Sequence, residues 1–300
     1  MPDLSIKISS LYLKNPVILA SGTCGYGIEL KDLIDLNSLG GLCLKGISLK
    51  PRPGNPPPRI HETASGLLNS IGLENVGIDR FISEKLPLLK DYDTCIIANI
   101  LGDSAQQYIE LAQRLDAHHD QIKAIELNLS CPNVKCGGIA FGTDPKLISQ
   151  IITGVKKVTN LPVIAKLSPN VQDIVPIATA CEESGADAIS LINTLLGTAI
   201  DIFRKKPVFN NIFAGLSGPA IKPVALRFVW QASHAVKIPI IGIGGISKWE
   251  DAIEFFMAGA TAIQIGTANF FNPSASVQII QGIKGFMRKM GYKKIEDMRI

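Results

Sequence analysis

The sequence predicts an α/β protein, a single (β/α)8 barrel of the TIM type spanning residues 1–300, with long inserted loops at the C-terminal face of the strands. Three observations predict it: eight short β-rich runs, helical spacing of apolar residues between most of them, and two connections too long to be simple loops.

The runs are PVILAS (16–21), GLCLKG (41–46), CIIANI (95–100), AIELNLS (124–130), PVIAKLS (162–168), AISLINT (188–194), PIIGIGG (239–245) and AIQIGT (262–267). Near-continuous apolar runs of this length suit strands of a parallel sheet buried on both faces. Between them, segments such as PKLISQIITGVKKVTN and KWEDAIEFFMAGA place apolar residues three and four apart, as a helix covering a sheet requires. Eight strand–helix units close into a barrel more naturally than they form an open sheet, because closure removes both edges. An open dinucleotide-binding sheet also lacks its fingerprint, since SGTCGYG follows the first strand where GxGxxG is needed.

The long connections are residues 47–94 and 195–238. Both follow strand C-terminal ends, the active-site face of this architecture, and excess loop there points to function. The proline-rich stretch 51–58 excludes regular helix and suits a rigid lid or a partner surface.

Composition narrows the function classes. A hydrophobic share of 46% with 19% charged residues gives material for a large core. The net charge of +4 is spread without basic runs or interleaved aromatics, which argues against nucleic-acid binding but leaves small anions open. No apolar run approaches the roughly 18–20 residues of a membrane span, and the N-terminal MPDLSIKISSLYLKNP carries no targeting pattern, so the expectation is a cytoplasmic protein without membrane attachment. The six cysteines, Cys24, Cys43, Cys95, Cys131, Cys136 and Cys181, are too sparse for a disulfide framework. Cys131 and Cys136 lack CxxC spacing and no second pair completes a metal site; His61, His118, His119 and His234 offer no metal spacing either.

Polar residues gather where the strands stop: Lys45, Asn99, Asn128, Ser130, Lys166, Asn193 and Thr194. Any one of them can be a loop residue capping a backbone group, but seven on one face indicate a binding site. The glycine-rich ends IGIGGIS (241–247) and IQIGTAN (263–269) expose backbone N–H groups after strands seven and eight, where barrels commonly bind phosphate. With ASG (20–22) and the ammonium groups of Lys45 and Lys166, they suit a phosphorylated cofactor. The most specific run is NLSCPN (128–133), which sets a thiol just past the fourth strand between the amides of Asn128 and Asn133. A cysteine is ordinarily an inert packing residue, but placement on the open face favours a general base that acts once partly ionised. Glu126 falls inside the fourth strand, so paired-carboxylate hydrolysis has little support.

With these residues in place, the chain resembles the dihydroorotate dehydrogenases, most closely the class 1B catalytic subunit. The resemblance rests on LKGISLKPRPGNPPPRI (44–60), GLLNSIGLEN (66–75), IANILG (97–102), ELNLSCPNVKCGGIAFGTDP (126–145), AKLSPN (165–170), LINT (191–194), GLSGPAIKP (215–223), GIGGI (242–246) and QIGTA (264–268). It implies one FMN per chain at the barrel mouth, held by Ser21, Lys45, Gly46, Asn99, Asn128, Lys166, Ile192, Gly218, Gly244, Gly245, Gly266 and Thr267. It implies substrate contacts at Lys45, Asn69, Ser70, Ile71, Gly72, Leu73, Asn128, Asn133, Asn193 and Thr194. In the implied reaction of de novo pyrimidine biosynthesis, Cys131 removes a proton from C5 of (S)-dihydroorotate, a hydride passes from C6 to the flavin, and orotate forms. Asparagine, which donates and accepts, matches a pyrimidine carrying both functions, and Lys166 would stabilise the reduced flavin anion.

The same resemblance implies a homodimer core within a heterotetramer, whose second subunit carries FAD and a [2Fe–2S] cluster and passes electrons to NAD. No metal site is expected on this chain. Class 2 members have serine as the base and an N-terminal membrane-associated extension, neither of which is found here; class 1A members share the cysteine and use fumarate. Two departures stand out, Cys136 after VK and FAGLSG (213–218) in place of a more glycine-rich run, the second bearing on Gly218. The alternative readings are a fumarate- or quinone-linked dehydrogenase acting without a partner, a flavin-binding barrel without catalysis, and a phosphate-binding lyase or isomerase.

Overall fold

The computed structural model describes residues 2–130 and 141–300 of the chain. A hairpin, β1 (Ile6–Ile8) and β2 (Leu11–Leu13), comes first. It buries Ile6, Ile8, Leu11 and Leu13 on one face and exposes Lys7 and Tyr12 on the other, the alternation of a half-buried strand pair. The Ser9 hydroxyl at its turn donates to Asp187 at 2.9 Å, just ahead of a barrel strand, so the hairpin sits at the N-terminal end of the barrel.

The barrel begins with β3 (Val17–Leu19) and β4 (Gly41–Cys43). The first long excursion then forms an antiparallel pair, β5 (Ile60–Thr63) and β6 (Gly66–Asn69), followed by the short helix α1 (Gly77–Arg80). Regular alternation follows: β7 (Cys95–Ile100), α2 (Ala105–Asp116), β8 (Ile122–Asn128), α3 (Pro145–Lys156), β9 (Val163–Leu167), α4 (Val175–Glu183) and β10 (Ala188–Leu191). The second excursion contributes β11 (Leu195–Gly197), the pair β12 (Ile200–Asp201) and β13 (Lys206–Pro207), and β14 (Ala214–Ser217). The chain closes with α5 (Lys222–Ala235), β15 (Ile240–Ile243), α6 (Trp249–Met257), β16 (Ala262–Ile265), α7 (Ala268–Phe271) and α8 (Ala275–Met290).

All eight runs read as core strands enter one closed parallel barrel, in the order β10-β15-β16-β3-β4-β7-β8-β9. The register is parallel throughout, as in Leu127 opposite Ala165 and Ile241 opposite Ala262. The helices follow the apolar spacing of the sequence. In α3, Ile148, Ile151, Ile152 and Val155 are buried, and the Asp144 carboxylate accepts from the Lys146 N–H at 2.9 Å to cap the first turn. Among the described residues no helix is long and apolar enough to cross a membrane.

The two long excursions meet each other. β11, β14, β6 and β5 form a four-stranded antiparallel sheet, joined where Leu216 pairs with Leu68 and Leu195 with Leu216. Both excursions leave C-terminal strand ends, so this sheet lies at the barrel mouth.

Candidate active site

A cavity of about 940 Å³ opens at that mouth, walled by the strand ends below and the antiparallel sheet above. This is at the upper end of the roughly 300–1,000 Å³ usual for small-molecule sites. Ser21, Lys45, Gly46, Asn99, Asn128, Lys166, Ile192, Gly218, Gly244, Gly245, Gly266 and Thr267 all line it, and so do Asn69, Ser70, Ile71, Gly72, Leu73, Asn193 and Thr194. Three residues singled out from the sequence, Cys131, Asn133 and Cys136, lie outside the described residues.

The asparagines form a connected edge. Asn128 Oδ1 accepts from the Ser130 hydroxyl at 2.7 Å, and Asn193 Nδ2 donates to that hydroxyl and, at 3.4 Å, to Asn128 Oδ1. The main chain beneath is fixed as well, because Tyr108 Oη donates to the Asn128 carbonyl at 2.6 Å. Across the cavity, Asn69 Nδ2 donates to the Gly215 carbonyl at 3.2 Å, tying one excursion to the other. Ser130, the residue before Cys131, is part of the cavity wall.

Glycines shape another side. Gly244 and Gly245 have φ of 126° and 75°, and Gly218 has 97°, all in the region that side chains avoid. A Cβ on Gly245 would stand 2.8 Å from the Lys222 backbone nitrogen, and one on Gly218 2.7 Å from Gly66 Cα. The Gly218 position, the least regular match in the sequence, is thus one that only glycine fills.

The floor holds the residue that strand-end reasoning set aside. Glu126 is fully buried in β8, and its carboxylate accepts hydrogen bonds from Asn99 Nδ2 (2.7 Å), Gln264 Nε2 (2.7 Å), Ser190 Oγ (2.8 Å) and Cys43 Sγ (3.1 Å), with Lys166 Nζ 3.6 Å away. Burial alone would push its pKa up. The Lys166 charge and these donors outweigh burial and hold the carboxyl below its usual range. Glu126, Gln264, Ser190 and Cys43 were not among the expected site residues. The available signal is parity: Glu126 is two residues from Asn128 in one strand, so both side chains face the barrel interior.

Asn99 Oδ1 and Gln264 Oε1 are buried with no partner among the described residues, and both side chains line the cavity. Buried orphan acceptors beside two ammonium groups and a glycine cradle fit a ligand that carries N–H or O–H donors together with negative charge, as FMN does. The remaining described cysteines offer no thiolate: burial pushes Cys24, Cys95 and Cys181 up to about 12, and Cys43 is raised by burial and by Glu126. His61 is exposed and meets Phe209 edge-on, and His234 stacks on Trp230. No group of His, Cys, Asp or Glu among the described residues can hold a metal.

Comparison with known proteins agrees along the chain. The family profile described as dihydroorotate dehydrogenase matches residues 3–287. A relative from Geotalea daltonii, named dihydroorotate dehydrogenase B (NAD(+)), catalytic subunit, is 54% identical over 297 residues, 99% of this chain and 97% of its own. A relative of the same name from Thermoanaerobacter sp. is 54% identical, covering 95% and 94%. Among solved structures, a DHODH from Eimeria tenella in complex with ferulenol superposes with a TM-score of 0.81 over 99% of this chain and 88% of its own, at 20% identity, which speaks to fold alone.

Proposed function

We infer the reaction from one premise: the chain belongs to the dihydroorotate dehydrogenase family. We propose that it oxidises (S)-dihydroorotate to orotate as the catalytic subunit of an NAD-linked enzyme. The observation that carries this reading is the gathering of two lysines, the asparagine edge and the glycine cradle around one cavity, in a chain 54% identical to NAD-linked catalytic subunits over nearly its whole length.

One FMN per chain fits the orphan acceptors and the cradle. Bound there, it would supply the acceptor for the hydride leaving C6 of the substrate. Gly244, Gly245, Gly266 and Thr267 would receive its phosphate, Ser21, Gly46, Ile192 and Gly218 would hold the rest, and Lys166, Asn99 and Asn128 would supply its polar contacts. Lys45 is the cation available to the substrate carboxylate. Asn69, Asn128, Asn133, Asn193 and Thr194 would provide both donors and acceptors for the pyrimidine, and Ser70, Ile71, Gly72 and Leu73 would contact it as well. Cys131 is assigned the proton at C5, because it follows the cavity-lining Ser130 directly and the other thiols, Cys136 aside, are buried in their protonated form. A second subunit carrying FAD and a [2Fe–2S] cluster, bound to a homodimer of this chain, would take the electrons on to NAD.

Anaerobic mixing of the FMN-loaded chain with dihydroorotate tests the reading. Bleaching of the flavin and release of orotate are expected, with NAD reduction only when the partner is added. Flavin that stays yellow would exclude the dehydrogenase, and rapid reoxidation by fumarate without a partner would favour the class 1A reading.

A further inference from the structure

Glu126 has no counterpart in the proposed chemistry, yet its carboxylate is the hub of the cavity floor. Its hydrogen-bond donors come from four strands, Cys43 of β4, Asn99 of β7, Ser190 of β10 and Gln264 of β16, and Lys166 comes from a fifth, β9. A fully buried ion pair is poor evidence for stability, because desolvation cancels much of its attraction. Its effect on neighbouring groups is more direct. An ionised carboxylate only accepts hydrogen bonds, so the amide nitrogens of Asn99 and Gln264 must turn toward it. Their oxygens then face away from it, two buried acceptors without partners among the described residues, on residues that line the cavity. Glu126 also sets a negative charge 3.6 Å from the ammonium of Lys166, a residue that lines the same cavity.

We propose that Glu126 is a positioning residue for the flavin, with two effects: it fixes the Asn99 and Gln264 amides in the floor against which the cofactor would sit, and it offsets the Lys166 charge so that the bound flavin is less easily reduced than Lys166 alone would make it. This rests on the FMN reading above. The first effect governs affinity for oxidised flavin. The second governs the difference in affinity between oxidised and reduced flavin, which is the midpoint potential.

The test is Glu126→Gln in the full chain, with three readouts: FMN dissociation constant by fluorescence quenching, midpoint potential by anaerobic dye titration, and thermal unfolding. Glutamine keeps the volume but brings an NH2 to a site ringed by donors, so at least one neighbouring amide must rotate, and Lys166 loses its counter-charge. Oxidised FMN should bind at least tenfold more weakly. The reduced form should be favoured at least tenfold more than in wild type, a rise of about 30 mV for a two-electron couple. A merely structural role would weaken both forms alike and leave the potential in place, so an unchanged or lowered potential overturns the proposal. Should Glu126→Gln fail to fold, Glu126→Asp keeps the charge but is one methylene too short to reach every donor. It should weaken FMN at least tenfold with little movement of the potential, and wild-type affinity there overturns the proposal equally. Failure of the wild-type chain to bind FMN would instead remove the functional reading itself.

Discussion

Replacing Gly245 by alanine tests whether the loop after β15 is a built cradle or an ordinary turn. Gly245 has φ of 75°, and holding alanine in the left-handed region costs about 1–2 kcal/mol. The added Cβ would also stand 2.8 Å from Lys222 N and Cβ and 2.9 Å from Lys222 Cα. Lys222 is poorly placed to retreat: it starts α5, and its ammonium donates to Asp251 and Glu254 at 2.8 Å each. Asp251 in turn accepts from the N–H groups of Ser247 and Lys248 at 2.9 and 3.0 Å, so cradle, α5 and the start of α6 move as a unit. Overpacking of this kind costs about 1–3 kcal/mol. Together these predict a loss of about 2–5 kcal/mol, a fall in Tm of about 3–8 °C for a chain of this length. FMN affinity should fall about tenfold for each 1.4 kcal/mol of the strain that binding must reverse. Gly285→Ala is the control, an exposed position inside α8 whose Cβ would meet nothing within 4 Å and which should gain about 0.5–1 kcal/mol. Thermal unfolding with and without saturating FMN, beside a fluorescence titration, reads all of this. A Gly245→Ala chain with wild-type Tm and wild-type FMN affinity would refute the argument.

Cys131→Ser should retain FMN and slow flavin reduction by dihydroorotate at neutral pH, because a hydroxyl is a far weaker acid than a thiol; unchanged stopped-flow traces would remove Cys131 from the reaction. Lys45→Ala should weaken dihydroorotate binding and slow flavin reduction together, and a substrate titration that finds both at wild-type values would undo its assignment. For Asp251, burial raises the pKa but the Lys222 ammonium and the loop N–H groups outweigh it, so the folded value lies below the unfolded one. Its stabilisation is therefore complete above the ordinary carboxylate range, near pH 4, and is lost as pH falls through the lower folded value. Denaturant curves should accordingly show Asp251→Asn about 1.5–3 kcal/mol less stable at pH 7, with the gap to wild type closing below about pH 4; a gap that is the same at pH 7 and pH 3 contradicts the charge-based account.

The barrel strands were legible because parallel strands buried on both faces leave unbroken apolar runs, and β7 (Cys95–Ile100) coincides with the run CIIANI. Runs such as AISLINT continue past the observed strand end at Leu191, since the polar residues that follow belong to the mouth. The four-stranded sheet above the cavity was not legible. It pairs residues 66–69 with 214–217, and no local pattern announces a partner so far along the chain. The N-terminal hairpin was legible in principle: Ile6, Ile8, Leu11 and Leu13 alternate with polar or exposed neighbours, but the strands are too short for a scan of apolar runs to register. Site residues at strand ends stood out because polar side chains there interrupt apolar sequence, and the cavity gathers all of them that the structure describes.

Glu126 shows what that rule leaves out. A carboxylate inside an apolar strand can be discounted for paired-carboxylate chemistry, but it cannot be discounted electrostatically, because an ionised group without compensation is too costly to bury. Such a residue therefore implies compensating partners inside the same barrel. The candidates are few: inward-facing cations and amides on other strands at about the same height. On the other predicted strand runs the cations are Lys45 and Lys166 and the amides Asn99, Asn193 and Gln264, and of these Lys166, Asn99 and Gln264 meet Glu126. All three line the cavity, so the need to compensate one buried charge places the floor of the barrel and the wall of the binding site in the same set of side chains.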